Sequence, residues 1–140
     1  MEKEVVILPY LFVAAAALAV IPILILFKIN VEKLKENPEE RGKVQTNFMI
    51  GVAVSEIIPI ILIVFAFMNS EAVNTVEELY LPGIIIMFIM LFSVFFIFLQ
   101  KNVGTEPAAK TVINAFSLVS IPLSTAIPFM SLIGLFIMVP

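Results

Sequence analysis

The sequence predicts an all-α integral membrane protein whose four transmembrane helices form two hairpins. Three observations carry that expectation. Of the 140 residues, 61% are hydrophobic and 14% charged, against about 45–50% apolar and about 25% charged in soluble domains. The apolar residues fall in four long blocks, about Val5–Ile29, Phe48–Met68, Leu79–Leu99 and Val112–Val139. Each block reaches the roughly 20 residues that a helix needs to cross the hydrocarbon. The chain also matches itself at a fixed offset, as set out below.

The first block opens on "MEKEVV", which lacks the basic region of a signal peptide, and no clear cleavage site follows. It is expected to stay in the membrane. The segment after it, "KINVEKLKENPEERGK", carries Lys28, Lys33, Lys35, Arg41 and Lys43; the segment after the third block, "QKNVGTEPAAK", carries Lys101 and Lys110. Between the second and third blocks, "NSEAVNTVEEL" has Glu71, Glu77 and Glu78 and no basic residue. The positive-inside rule therefore puts loops 30–46 and 101–111 in the cytoplasm of a plasma or cytoplasmic membrane, with both termini outside. There are no Cys, His or Trp. Disulfides, thiol chemistry and the usual zinc and haem ligands are thereby excluded. Tyr10 and Tyr80 are the conventional interfacial anchors that remain.

Shifting the chain by 69 positions lays Pro38 on Pro107, Arg41 on Lys110, Ser55 on Ser124, Ile58 on Ile127, Pro59 on Pro128 and Phe67 on Phe136. The proline pairs weigh most, because each half has one in its loop and one within its second apolar block. Residues 1–70 and 71–140 are therefore expected to be parallel repeats about an axis along the membrane normal. The telling position is a mismatch: Glu56 falls on Thr125. A threonine hydroxyl satisfies itself by bonding back to its own helix. A carboxylate does not.

Glu56 stands near the middle of "NFMIGVAVSEIIPIILIVFAFM". A charge at the bilayer centre costs roughly 2.5–3.5 kcal/mol on insertion scales, so hydrocarbon favours the neutral acid. Such a group rides protonated and releases its proton where water or a base is available. Pro59, with no N–H, leaves the Ser55 carbonyl as a candidate partner for that proton. Mirroring the hairpin about its loop sets the small side chains Ala14, Ala15, Ala16, Ala17 and Ala19 opposite the acid.

The stretch from "ENPEERGK" through "FMIGVAVSEIIPIILIVFAF" resembles the loop and second helix of subunit c, the proteolipid of rotary F- and V-type ATP synthases and ATPases, in its duplicated double-hairpin form. Asn37, Pro38 and Glu39 match the polar loop, Gly51 and Ala53 the small residues before the acid, Glu56 the ion carrier and Pro59 the proline after it. The resemblance implies a homo-oligomeric ring that carries H⁺, with Glu56, Ser55 and Pro59 at the ion site and Thr125 at a lost one. It further implies stator and stalk subunits as partners, no cofactor, and no catalytic chemistry in this chain. Sodium is disfavoured, because the hydroxyls and Tyr of the sodium-type pattern are missing from "EIIPII".

The chain departs from the family in lacking a glycine repeat in its first and third blocks, and in carrying Glu36 where the loop Arg usually stands. Two other readings therefore stay open: a proteolipid-derived ring, pore or scaffold that does not rotate, and a component of an unrelated four-helix transporter. Ser117, Ser120, Ser124 and Thr125 share one helical face, either as a polar seam or as a packing surface. The Phe-rich third block reads as a lipid or packing face. Lipid is the expected environment, and nothing points to nucleic acid.

Overall fold

The structure, a computed structural model, describes residues 2–140, with side chains from residue 7 onward. Met1 and the side chains of residues 2–6, which include Val5 and most of "MEKEVV", lie outside the described residues. The fold is all-helical. Helix α1 runs Glu2–Glu36, α2 Arg41–Ser55, α3 Ile57–Met68, α4 Tyr80–Asn102 and α5 Lys110–Ile137. Helices α2 and α3 together make the second apolar span. The chain thus has four spans long and apolar enough to cross a membrane, as in an integral membrane protein.

Two sequence expectations change. Most of the expected loop 30–46 is helix, because "INVEKLKE" continues α1 and Arg41 already opens α2. What turns the chain is Asn37 in a non-helical conformation, followed by a single 3-10 turn over Pro38–Glu40. Proline suits that first position, having no N–H to leave unpaired. The second change is the break between α2 and α3, which falls at Glu56. At the opposite end of the first hairpin, Val73 is buried and donates its N–H to the Met138 carbonyl (2.9 Å), which ties the connection to the end of α5. The segment between α4 and α5 turns at Gly104, whose φ of +64° favours glycine.

Helix α1 lies at the centre and touches every other helix. Helix α5 fills the groove between α1 and α4, whereas α2 and α3 lie along α1 and make no substantial contact with α4. In hydrocarbon, helices associate by close packing and interhelical hydrogen bonds, because burial from water no longer drives them. Both devices meet at Phe12. The Ser131 hydroxyl of α5 donates to the Phe12 carbonyl (2.8 Å). Gly134, one turn on, presses so close to the Phe12 ring that a Cβ there would lie 2.3 Å from Cε1. Phe67 of α3 meets the same ring edge-on at 5.2 Å.

The outward faces are apolar. Ile57, Ile61 and Phe65 of α3 and Ile84, Phe88 and Phe95 of α4 are exposed; in water such contiguous surface would drive association. Lipid is its natural solvent. Tyr10 and Tyr80 are both exposed, at the end of the bundle that carries the acidic connection. At the other end the Lys35 ammonium donates to the Gln100 and Val103 carbonyls, closing off acceptors that the end of α4 would leave unpaired.

Gly134→Ala is expected to lower stability in detergent by about 1–3 kcal/mol, the usual cost of overpacking. Phe12→Leu should cost less in that background than alone. Thermal unfolding of the two single variants and the double variant measures the coupling.

Candidate functional site

The site is built where the second span breaks. Helix α2 ends at Ser55, and Glu56 (φ −84°, ψ −7°) joins it to α3. The Glu56 N–H still reaches the Val52 carbonyl (3.0 Å), and the Ile60 N–H reaches the Glu56 carbonyl (2.9 Å). Between these bonds Pro59 has no N–H to give, so the Ser55 carbonyl loses its helical donor. The acid therefore follows directly on a residue whose backbone acceptor is freed. The same spacing in α5 has a different outcome: Pro128 lies buried within an unbroken helix. Helix α5 is held on two sides by α1 and α4, and Ser131 anchors it just beyond Pro128. The α2–α3 span leans mainly on α1.

Val44, Phe48, Val52, Pro59, Ile63 and Ala66 are the buried side chains of the second span. Glu56 lies four residues past Val52 and three before Pro59, so it belongs to this inward stripe. Its side chain is half-buried. Among the described residues its carboxylate has no hydrogen-bond donor and no cation as partner. Glu56 is the only charged residue of the second span between Lys43 and Glu71.

Cross-hairpin contacts fix its depth. Phe27 packs on Phe48 (6.4 Å), Leu26 on Gly51, and Phe12 on Phe67 (5.2 Å). Even spacing along both helices between these contacts puts Glu56 level with Val20 to Pro22. This corrects the expected pairing with Ala14–Ala19, since only Ala19 adjoins that level. Ala15, Ala16 and Ala19 are fully buried, but in a cluster shared with Ile63 and Ala66 of α3, Ile86 of α4 and Ile127 and Leu135 of α5. They let α1 sit at the centre of the bundle. Ala14 and Ala17 are half-buried.

Gly51 packs closely on α1, since a Cβ there would lie 3.0 Å from Leu26. Ala53 is exposed on the outer face of α2. The Ser55 hydroxyl donates to the Val52 carbonyl (3.0 Å), so its proton is committed to its own helix and only its lone pairs remain for the site. Thr125 bonds back to the Ile121 carbonyl (2.9 Å), and α5 runs straight through it.

Pro22, inside α1, is a further residue at this level. It lies four residues before Leu26, which touches Gly51, and so shares the face of α1 turned to the second span. Having no N–H, it frees the Leu18 carbonyl as Pro59 frees that of Ser55. Two acceptors without helical donors thus approach the level of one carboxylic acid. The sequence shows a proline in each arm of the hairpin, and the register of the arms sets Pro22 at the level of Glu56.

Aromatic layers close the level of Glu56 above and below. On the acidic-connection side stand Phe12 and Phe67. On the basic side Phe116 stacks on Phe27 (5.5 Å) and meets Phe48 edge-on (4.9 Å). No protein-family model matches this chain, and no solved structure matches it.

Pro59→Ala supplies the missing donor and is expected to close the break. Residue 59 should then show a protected amide in hydrogen exchange, and the span should gain part of the roughly 3 kcal/mol that an interior proline costs a helix.

Proposed function

We propose that the chain is a proton-translocating membrane subunit of a proteolipid-like ring, with Glu56 as the carrier. The observation that carries this reading is the unpaired carboxylate at a helix break, on the inward face of a span and between two aromatic layers. A group so placed is most stable uncharged. As a neutral acid it has one O–H to donate, and the Ser55 carbonyl is an acceptor at hand. A sodium ion would need several converging oxygens, while Ser55 and the freed carbonyls offer a sparse set. The proton fits best.

In this reading the basic ends of the helices, Lys33, Lys35, Arg41, Lys43 and Lys101, face the cytoplasm, and both termini and the acidic connection lie outside. Each copy carries one acid on four helices. Moving one charge across 100 mV is worth about 2.3 kcal/mol, so few charges per turn suit a pump better than a synthase. Stator and stalk subunits would supply the charge exchange and the nucleotide chemistry. A second reading, a proteolipid-derived ring that does not turn, draws support from α4, whose outward Phe88, Phe92 and Phe95 are too bulky for a narrow inner ring. The number of copies in the purified particle, and whether it co-purifies with an ATPase, separates the two.

A hydrophobic carbodiimide is expected to modify Glu56 slowly and selectively, and less at alkaline pH, because the reagent needs the protonated acid. Glu56→Gln should abolish both the labelling and, in the particle reconstituted with its stator and stalk partners, proton uptake into proteoliposomes. An unreactive Glu56, together with full uptake in Glu56→Gln, would remove the proposal.

A further inference from the structure

Helix α5 buries a row of hydroxyls on the basic-end half of the bundle. Ser117, Ser120 and Ser124 are all essentially inaccessible. Phe116 stacking on Phe27, and the Ser131 hydroxyl on the Phe12 carbonyl, fix the register of α5 against α1. In that register Ser117 lies at the level of the Phe27–Phe48–Phe116 layer. Ser120 lies one turn deeper, opposite Ile23, and Ser124 lies opposite Ala19. The level of Glu56, Val20 to Pro22, falls between these last two.

The hydroxyls differ in what they do with their protons. Ser120 donates to the Phe116 carbonyl (2.8 Å) and Ser124 to that of Ile121 (3.0 Å), leaving their lone pairs free. Ser117 Oγ has no partner, the one such buried side-chain polar atom among the described residues. A buried hydroxyl without a partner bears its desolvation cost uncompensated, and water is the smallest molecule that restores the bond. Towards the same end, α1 buries Asn30, one turn beyond Phe27; its amide donates to the Leu26 carbonyl (2.7 Å). Among the described residues, the other half of the bundle has no such row. There Ser131 is spent on Phe12, and Gly134 and Phe67 pack the same ring shut.

We propose that Asn30, Ser117, Ser120 and Ser124 hold a file of water that leads from the basic end of the bundle past the aromatic layer to the level of Glu56. The ligand is water itself, and the route opens to one face of the membrane only. Ser117 is the positioning residue that carries it past Phe116. This inference rests on Glu56 as the proton carrier for its purpose, but not for its existence.

The absence of native cysteine makes the test direct. Single-cysteine variants Ser117→Cys, Ser120→Cys and Ser131→Cys are reconstituted in vesicles and exposed to a small charged methanethiosulfonate, with Lys43→Cys as the exposed control. The cysteine thiolate attacks the reagent's sulfenyl sulfur and expels methanesulfinate, and thiolate forms only where water reaches. Ser117→Cys and Ser120→Cys should react about tenfold or more faster than Ser131→Cys, and only from the side that labels Lys43→Cys. Equal rates for all three buried positions, or reaction from the opposite side, overturn the route. Should Ser117→Cys fail to fold, the Ser120→Cys to Ser131→Cys ratio decides by the same criterion. Carbodiimide labelling of Glu56 in the unsubstituted chain is scored separately. Labelled Glu56 with a dry Ser117 and Ser120 sinks the route alone, while wet hydroxyls with a functionally idle Glu56 sink the carrier and leave the route standing.

Discussion

Within a bilayer a backbone polar group without a partner costs several kcal/mol, so a spanning chain satisfies its hydrogen bonds inside its own helices. This molecule keeps that rule along most of its length and relaxes it where a proline removes a donor. Pro59 and Pro22 do so on facing arms of one hairpin, near the level of a carboxylic acid. The rest of the fold is arranged around that point. Central α1 supports the second span along one side, α5 packs on α1 from another, and aromatic rings lie in layers on either side of Glu56.

Comparison of the two halves shows how context decides what a proline does. Pro59 and Pro128 occupy matching positions in the internal offset, and each follows a serine by four residues. In the second span the helix opens at Glu56; in α5 it runs on without interruption. Helix α5 is clamped between two neighbours and tied through Ser131 to a carbonyl of α1. Thr125, whose hydroxyl needs nothing beyond its own turn, places no demand on the helix. The second span is interrupted at an unpartnered acid beside a freed acceptor, and α5 runs through the matching position, where the self-bonded Thr125 stands.

The same economy explains the placement of the small residues. A run of alanines in the first block invites the reading that two arms of a hairpin close around the acid. The contacts place most of the run nearer Phe67 than Glu56, in the cluster that joins α1 to three other helices. Close approach is needed most where several helices share one neighbour, and in lipid small side chains are the means to it. Gly134 against Phe12 is the tightest instance.

Four apolar blocks of spanning length, the polar turns between them and the solitary Glu56 with Pro59 three residues on were legible in the sequence, because each depends on composition and local spacing along one helix. So was the self-satisfying character of Thr125. The extent of α1 into the charged segment was misread as loop, since charged residues that end a membrane span are also good helix formers. Which arm meets which at what level was decided only by the tertiary structure. It turned Pro22 toward the second span, exposed Ala53, gave Ala15 and Ala16 to a shared core, and left Ser117 buried with an unspent hydroxyl. Those outcomes depend on register between helices, and register is fixed by large side chains and close contacts that no single stretch of sequence contains.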